Sequence, residues 1–353
     1  MKDKLPKIKI GFTVGDMNGV GPEVLLQALS EPKILELFTP VIYGPLQNLA
    51  YTAEHFGLET LFNSINDADT AADNKLNLID DYNCVPKISF GKLDKKMGEV
   101  AFLSIEKGVE DLKKNKIHAL VTAPINKEAI HSDKFNFMGH TDYIDSQIEG
   151  NAIMMMVSES LKVALLTEHI PISKVSNQIT KELVCKKIIG LNETLKKDFL
   201  IDCPKIALLA IDPHAGDNGV IGCDDKNILI PALKTLNASG ILASGPYAAD
   251  SFFGSSEFKK FDLVVASYHD QGLIPFKTLS FGMGVNYTSG LNRIRTSPDH
   301  GTAYGIAGKG VALKDSFLSS IFLAIEMYKS RNTFSELQKQ NLLKEPAFKS
   351  NDK

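Results

Sequence analysis

Short apolar runs rich in β-branched residues alternate along the chain with longer segments whose apolar residues recur every three or four positions. The short runs predict strands, and the longer segments predict helices. The predicted strands are residues 8–14, 39–43, 119–122, 153–157, 162–166, 206–211 and 263–266. The predicted helices are residues 22–29, 99–114, 181–197, 226–236 and 312–329. This alternation is typical of an α/β fold, in which helices cover both faces of a largely parallel sheet.

Two stretches depart from this pattern. Residues 61–96 are polar and weakly periodic, so we expect an irregular excursion there with one hairpin. The tail from Phe334 is rich in polar residues and predicts a surface helix followed by a frayed terminus. The chain has 353 residues, more than one core easily buries, and this length predicts two domains or two lobes that share a sheet.

The charge balance excludes some classes of partner. Lys and Arg number 39 against 42 Asp and Glu, a formal net charge of −3. Such a chain has no global attraction for nucleic acid or for an anionic membrane, so we predict neither partner. Its apolar runs are too short to span a membrane, and the start shows no signal-peptide pattern. We therefore expect a cytoplasmic protein.

Five of the eight histidines lie in turns that follow apolar strands and are rich in glycine, proline or acidic residues. They are His140, His169, His214, His269 and His300. In an open α/β sheet, the loops at the carboxyl ends of the strands meet at the ligand crevice. The five positions therefore predict one shared site.

His169, His214 and His269 are candidate metal ligands. Imidazole is the commonest protein ligand of metal ions. A catalytic site for a divalent metal needs three protein ligands, with one coordination position left open. Their wide spacing carries no metal-finger signature, and each one alone is equally consistent with a polar turn residue. As a set they favour a metal site, with Asp250 and Asp270 available to orient an imidazole or to act as a base.

An anion site is predicted just after His269. Lys277, Asn286, Arg293 and Arg295 lie close together among glycines, and such cations suit a phosphate or a carboxylate. Arg293 is equally consistent with an ordinary surface cation.

Two glycine-rich segments are further candidates for ligand binding. The first, GDMNGVGPE at residues 15–23, is not a dinucleotide fingerprint, and is either a tight turn or a turn that offers Asp16 and Asn18 to a ligand. The second, DHGTAYGIAGKG at residues 299–310, is a small-residue loop able to wrap the adenosine part of a dinucleotide.

Eight motifs follow one another along the chain: GDMNGVGPE at 15–23, TAPINK at 122–127, GHTD at 139–142, TEH at 167–169, PHAG at 213–216, GPYAAD at 245–250, YHDQG at 268–272 and IRTSPDHGTA at 294–303. Taken in this order, they resemble the PdxA family of 4-hydroxythreonine-4-phosphate dehydrogenases. The resemblance runs from about residue 8 to residue 330.

The resemblance implies the two-lobed fold of isocitrate and isopropylmalate dehydrogenases. One α/β lobe would comprise residues 1–140 with about 290–353, and the other residues 141–289, with the active site in the cleft between them. It also implies a homodimer with active sites at the subunit interface. The three histidines would hold a divalent metal, zinc first and cobalt or magnesium as alternatives, with His269 supplied by the neighbouring subunit.

The resemblance assigns further roles to single residues. Substrate phosphate and carboxylate would be bound by His140, Thr141, Lys277, Asn286 and Arg295. Asp250 and Asp270 would lie near the metal and serve acid–base catalysis. The cofactor-binding residues would be His300, Gly301, Thr302, Ala303, Ala307 and Gly308. Tyr304 and Gly305 stand where isocitrate-type relatives have Pro and Asp, which leaves open the choice between NAD and NADP.

The implied reaction is the NAD(P)-dependent oxidation of 4-phosphooxy-L-threonine to 2-amino-3-oxo-4-phosphooxybutanoate. That product decarboxylates to 3-amino-2-oxopropyl phosphate in pyridoxal phosphate (vitamin B6) biosynthesis. Two alternatives stay open. One is a dehydrogenase of 4-phospho-D-threonate or 4-phospho-D-erythronate, and the other is a non-redox, metal-dependent phosphoryl-transfer or hydrolytic enzyme.

Overall fold

The computed structural model describes residues 7–83 and 85–344. In this part of the chain there are twelve strands and eleven α-helices. The strands are β1 (Ile8–Thr13), β2 (Phe38–Tyr43), β3 (Phe62–Ser64), β4 (Leu76–Ile79), β5 (Ala119–Thr122), β6 (Gly150–Val157), β7 (Lys162–Leu165), β8 (Lys205–Leu209), β9 (Leu242–Tyr247), β10 (Leu263–Ala266), β11 (Val285–Leu291) and β12 (Ile294–Pro298). The helices are α1 (Gly21–Leu29), α2 (Leu46–His55), α3 (Lys95–Lys113), α4 (Lys127–Ile130), α5 (His140–Gln147), α6 (Val175–Gln178), α7 (Lys181–Asp198), α8 (Ile230–Ala238), α9 (Ala249–Gly254), α10 (His269–Ser280) and α11 (Asp315–Lys344).

The strands form one twelve-stranded sheet in the order β3-β4-β2-β1-β5-β12-β11-β6-β7-β10-β8-β9. The first half, β3 to β12, and the second half, β7 to β9, are each parallel. Between them β11 and β6 pair antiparallel with each other and with their outer neighbours. Three successive antiparallel pairings separate β12 from β7, so the two halves run in opposite directions.

The predicted α/β class is confirmed, and all seven predicted strands are present. Every residue of β2, β4, β5 and β10 is buried. Continuous apolar strands of this kind are expected where helices cover both faces of a parallel sheet. The burial explains why the strongest apolar runs of the sequence became strands of the sheet.

The predicted helices are also present, with shifted ends. Asp94 caps α3 by accepting from the Lys96 N–H, and Thr180 caps α7 by accepting from the Leu183 N–H. The helix predicted at 226–236 begins as a π-helical turn, Asp225–Leu229, and continues as α8. In the tail, α11 extends without a break to Lys344, and the predicted frayed end lies outside the described residues.

One prediction was wrong, and two central strands were not predicted. In the described part of residues 61–96 the expected hairpin does not form, because β3 and β4 are neighbours but parallel, and parallel strands need a longer connection than a hairpin. No strand was predicted in residues 285–298, but they form the antiparallel strands β11 and β12. Their threonines and serines broke the apolar pattern on which the strand predictions depended.

A buried ion pair joins α11 to α7, and a hydrogen bond from the same arginine reaches strand β11 of the sheet. The Arg331 guanidinium donates to both carboxylate oxygens of Asp198, at 2.6 and 3.1 Å, and to the hydroxyl of Tyr287 at 3.1 Å. The Asp198 side chain is only 2% exposed. Because the carboxylate is out of reach of water, Arg331 is the group that balances it.

Arg331→Met should therefore lower the free energy of unfolding by about 3–5 kcal/mol, the cost of leaving one charge of a buried pair without its partner. Urea denaturation measures this change. Lys329→Met, at an exposed position of the same helix, is the matched control and should change stability by less than about 0.5 kcal/mol. Equal effects of the two substitutions would contradict the importance of this pair.

In the part of the chain that the structure describes, no helix is both long enough and apolar enough to cross a membrane.

Candidate active site

A cavity of about 200 Å³ lies between the two halves of the sheet. The ends of β5 and β12 border it on one side, and the loop after β7 on the other. Four of the five predicted substrate residues line it, and so do two further histidines of the predicted cluster. These lining residues are His140, Thr141, Asn286, Arg295, His169 and His300. The cavity is smaller than the roughly 300–1,000 Å³ of pockets for drug-sized ligands, so it suits a small molecule.

Arg295 carries a buried positive charge at this cavity. It is only 2% exposed, and its guanidinium donates to the hydroxyls of Thr122 and Thr288 at 2.6–3.1 Å. Among the described residues it forms no ion pair with a carboxylate. Burial lowers the pKa of Arg295 to about 9. A buried cation without a counter-charge is unfavourable, and a bound anion would supply that charge.

Three polar atoms of the cavity wall are also without partners. His140 Nε2, Asn286 Oδ1 and His300 Nε2 are buried and make no hydrogen bond within the described structure. Leaving such a group unpaired costs about 1–3 kcal/mol, and buried polar groups are nearly always hydrogen-bonded. Because all three atoms surround one cavity, a polar ligand bound there could supply their missing hydrogen bonds. Burial, together with the charges of Arg295 and Lys127, holds the pKa of His140 well below its usual range, so its ring is neutral near pH 7.

Helix α5 begins at this cavity. Its N-cap is Gly139, which has no side chain to accept a hydrogen bond from the first turn. The first N–H groups of a helix have no partner within the helix, and they carry its partial positive charge. His140 and Thr141 are the first two residues of this turn and line the cavity. A helix N-terminus beside a buried arginine is a site suited to phosphate.

Two of the three predicted metal ligands lie together. His169 follows β7, His269 begins α10, and their ring centroids are 5.8 Å apart. Because imidazole nitrogens bind zinc at about 2.0–2.1 Å, two rings on one ion stand roughly 5–6 Å apart, so this spacing fits a shared metal. Burial is the main cause that lowers the pKa of His169, which favours the neutral form a metal requires. The Asp270 carboxylate lies 2.7 Å from His269 Nδ1 and fixes that ring.

His214 lies apart from this pair. It stands in a left-handed turn after β8, with φ of 54°, and lines a neighbouring cavity of about 460 Å³ together with Asp250 and Tyr268. Within residues 7–83 and 85–344 of a single chain, no group of three His, Cys, Asp or Glu side chains is placed to hold a metal ion. The predicted convergence of five histidines is therefore observed for four of them.

The remaining predicted anion-binding residues are paired with protein groups. Lys277 on α10 does not line the cavity, because its ammonium lies 2.9 Å from Asp299 Oδ1 and donates to the Asp299 carbonyl at 3.1 Å. Arg293, which the sequence left open between an anion ligand and an ordinary surface cation, donates to the carbonyls of Leu112 and Lys113 at the end of α3 and does not line the cavity.

The small-residue loop after β12 packs against the first glycine-rich turn. The carbonyl of Thr302 accepts from the Val20 N–H at 3.0 Å, and the Tyr304 hydroxyl donates to the carboxylate of Asp16. Asn18 donates to the Lys92 carbonyl and accepts from the Ser89 N–H. Asp16 and Asn18 therefore serve internal contacts that support the loop, and the turn is structural. The predicted cofactor residues Gly301, Thr302, Ala303, Ala307 and Gly308 all lie in this loop.

Sequence reasoning missed five polar residues that line the cavity: Thr122, Lys127, Asp142, Glu168 and Ser297. Each lies in a motif that was already singled out: TAPINK, GHTD, TEH or IRTSPDHGTA. Their positions in these motifs were the available signal.

The fold and the cavity together define an α/β protein with a small cavity, suited to an anion, between the two halves of its sheet. The chain matches the family model described as "Pyridoxal phosphate biosynthetic protein PdxA" over residues 36–324. It belongs to this family, and the resemblance seen in its motifs is confirmed.

Individual relatives agree with this placement. The chain is 45% identical over 327 residues to a 4-hydroxythreonine-4-phosphate dehydrogenase of Bacteroides thetaiotaomicron, covering 92% of this chain and 90% of the relative. It is 38% identical to a D-threonate 4-phosphate dehydrogenase of Cupriavidus necator, over 93% of this chain and 98% of the relative. The solved 4-hydroxythreonine-4-phosphate dehydrogenase from Klebsiella pneumoniae superposes with a TM-score of 0.80 at 32% identity, covering 93% of this chain and 99% of that chain.

Proposed function

We propose that this chain oxidises 4-phosphooxy-L-threonine with NAD or NADP to 2-amino-3-oxo-4-phosphooxybutanoate, which decarboxylates to 3-amino-2-oxopropyl phosphate. One observation carries the proposal. The buried guanidinium of Arg295 lies, with no carboxylate partner among the described residues, in a cavity that also holds the N-terminus of α5. The name of the Bacteroides relative supports the choice of substrate.

The phosphate of the substrate would bind at the N-terminus of α5. His140 and Thr141 would donate from the first turn, and Arg295 would supply the counter-charge from β12. Asn286 on β11 offers a further polar contact from the opposite wall. Binding a phosphate remote from the reacting carbon orients the substrate, and this binding energy lowers the barrier only through correct positioning.

Oxidation removes two groups from the substrate. The C3 hydrogen leaves with its electron pair as a hydride, and the C3 hydroxyl loses its proton, so a carbonyl forms. Nicotinamide, when bound, accepts the hydride, and the predicted loop at residues 300–308 would bind its adenosine portion. We assign proton removal to Asp270 or Asp250. Asp270 is 71% exposed and can pass the proton on to water.

Decarboxylation follows from the product of the first step. The new C3 carbonyl is β to the carboxylate, so the C1–C2 bond breaks, carbon dioxide leaves, and the bonding electrons move towards the carbonyl oxygen. A proton then adds at C2 and restores the ketone. No second cofactor is needed for this step.

We further propose a divalent metal held by His169, His214 and His269. An all-imidazole donor set suits zinc or cobalt better than magnesium, which prefers oxygen ligands. When bound, such an ion would polarise the hydroxyl and then the carbonyl of the substrate. The resemblance implies a ligand set that combines two subunits of a homodimer, with His269 from the neighbouring subunit. Within one chain the histidine that stands apart is instead His214, while His169 and His269 lie together. A ligand set shared between two subunits is therefore our proposal, and the residue that each subunit supplies is left to experiment.

We also propose a division of the chain into two lobes and a location in the cell. The two halves of the sheet would correspond to the two predicted lobes, residues 1–140 with about 290–353 and residues 141–289, with the cavity in the cleft between them. The enzyme would be cytoplasmic.

Lys277→Ala tests whether this lysine also binds substrate. We expect the Lys277 ammonium to leave Asp299 and bind the phosphate when substrate is present. The loss of this ammonium should therefore raise KM about 10- to 100-fold while metal content stays the same. Steady-state kinetics and metal analysis measure both. Lys260→Ala, an exposed lysine paired with Glu257, is the matched control. Unchanged kinetics in Lys277→Ala would show that this lysine only holds Asp299.

A second candidate function is the oxidation of 4-phospho-D-threonate or 4-phospho-D-erythronate, and the Cupriavidus relative favours it. The three phosphorylated acids should be offered side by side, with NAD and with NADP, before and after chelator treatment. We expect the fastest reduction with 4-phosphooxy-L-threonine, and its loss after chelation. Faster reduction with either of the other acids would establish the second candidate instead.

A further inference from the structure

The proposed substrate has two anionic ends, and the phosphate site described above accounts for only one. We propose that Lys127 binds the carboxylate of the hydroxy acid at the other end. This inference rests on the proposed function for the identity of the substrate, and adds the residue that recognises it as an acid.

Local structure places Lys127 firmly at the cavity. It is the first residue of α4, which follows β5 after a short turn. Asn126 caps this helix by accepting from the N–H groups of Glu128 and Ala129, at 3.0 and 2.9 Å. The cap fixes the backbone from which the Lys127 side chain leaves, and this side chain lines the cavity together with His140 and His169.

The charge of Lys127 is not used by the protein itself. Within the described residues it forms no ion pair with a carboxylate, whereas Lys187 pairs with Glu168 and Lys277 with Asp299. The residue is exposed, so its ammonium is accessible to a ligand that enters the cavity. Gly139 leaves open space beside it, since even an added Cβ there would stand 4.0 Å from Lys127 Cε.

Lys127 lines the same cavity of about 200 Å³ as His140, at the phosphate end, and His169, at the end with the histidine pair. A molecule that has its phosphate at α5 and its reacting hydroxyl towards His169 would therefore keep its carboxylate within reach of Lys127.

The two cations differ in the anion that they suit. Arg295 has a rigid fork of donors and lies beside free backbone N–H groups, an arrangement that matches the several oxygens of a phosphate dianion. Lys127 presents a compact point charge on a flexible stem, and that is sufficient for a carboxylate. Assigning the phosphate to Arg295 leaves the carboxylate to Lys127.

The assignment predicts a specific pattern of binding. The lysine should contribute to the affinity for substrates that carry the carboxylate and contribute nothing to a molecule that lacks it. 3-Amino-2-hydroxypropyl phosphate is such a molecule, because it keeps the amine, the hydroxyl and the phosphate and has hydrogen in place of the carboxylate.

The test compares the full-length wild type with Lys127→Met by calorimetric titration without dinucleotide. We expect Lys127→Met to bind 4-phosphooxy-L-threonine about 10- to 100-fold more weakly, and to bind the analogue and inorganic phosphate as the wild type does. Lys127→Arg should recover part of the lost affinity. Lys134→Met, at an exposed position in the turn after α4, is the control for the loss of one surface charge.

Two results would overturn the inference. One is equal weakening of substrate and analogue, which would place Lys127 at the phosphate, and the other is unchanged affinity for the substrate. Thermal denaturation of Lys127→Met checks that the variant is folded. The failures are separable: a wild type that does not oxidise the substrate contradicts the proposed function, whereas an active wild type with an unaffected Lys127→Met contradicts only this inference.

Discussion

Replacing Arg295 with methionine should lower kcat/KM for the phosphorylated substrate by about 10³-fold or more, since it removes the buried counter-charge of the phosphate. The effect should be largest in KM, and an unphosphorylated substrate should be affected much less. Arg293→Met is the matched control, because Arg293 donates to helix carbonyls outside the cavity. Steady-state kinetics of the two variants, with dinucleotide in excess, measures the difference.

The same substitution should not destabilise the protein. Arg295 is buried without a carboxylate partner among the described residues, so methionine of similar length removes a charge that burial disfavours. We expect the free energy of unfolding to stay the same or to rise by about 1–4 kcal/mol. Inorganic phosphate should raise the Tm of the wild type and leave that of Arg295→Met unchanged. A large loss of stability would show that Arg295 has a mainly structural role.

His214→Ala should remove bound metal and activity together, with activity falling about 10³-fold, because a three-ligand catalytic site does not hold its ion with two. Metal analysis after gel filtration, combined with kinetics, measures both. His131→Ala replaces an exposed histidine in the turn after α4 and should keep metal and activity.

Of the three histidines, His214 gives the most decisive test of the proposed metal site. Within one chain it lies in a different cavity from the His169–His269 pair, so its role depends on the proposed combination of two subunits. A His214→Ala variant that keeps full metal occupancy would contradict the ligand role. Loss of metal with retained dimerisation, measured by light scattering, would support a ligand set shared between subunits.

Much of the fold could be predicted because the seven predicted strands are mostly apolar and mostly buried. The central strands β11 and β12 could not, since they contain buried polar residues such as Thr288, Arg295 and Thr296. These residues broke the pattern because they build the site and its support. The polar and cationic residues that indicated an anion site were therefore the same residues that kept β11 and β12 from being predicted as strands.

The site was predictable in its components and less so in its arrangement. Histidine positions at strand ends indicated a cluster, and four of the five lie at or beside the cavity. The pairing of Lys277 with Asp299 and the burial of Arg295 depend on contacts between residues distant in the sequence. The opposite directions of the two halves follow from three antiparallel pairings that no local pattern predicts.

The stoichiometry of the reaction with 4-phosphooxy-L-threonine shows directly whether the enzyme oxidises this substrate. Reduced dinucleotide, carbon dioxide and inorganic phosphate should be measured in one sample, beside a second sample that contains unphosphorylated 4-hydroxy-L-threonine. We predict equal amounts of reduced dinucleotide and carbon dioxide, no free phosphate, and little reaction without the phosphate group. Release of inorganic phosphate with no reduced dinucleotide would contradict the proposed oxidation and identify a hydrolytic enzyme.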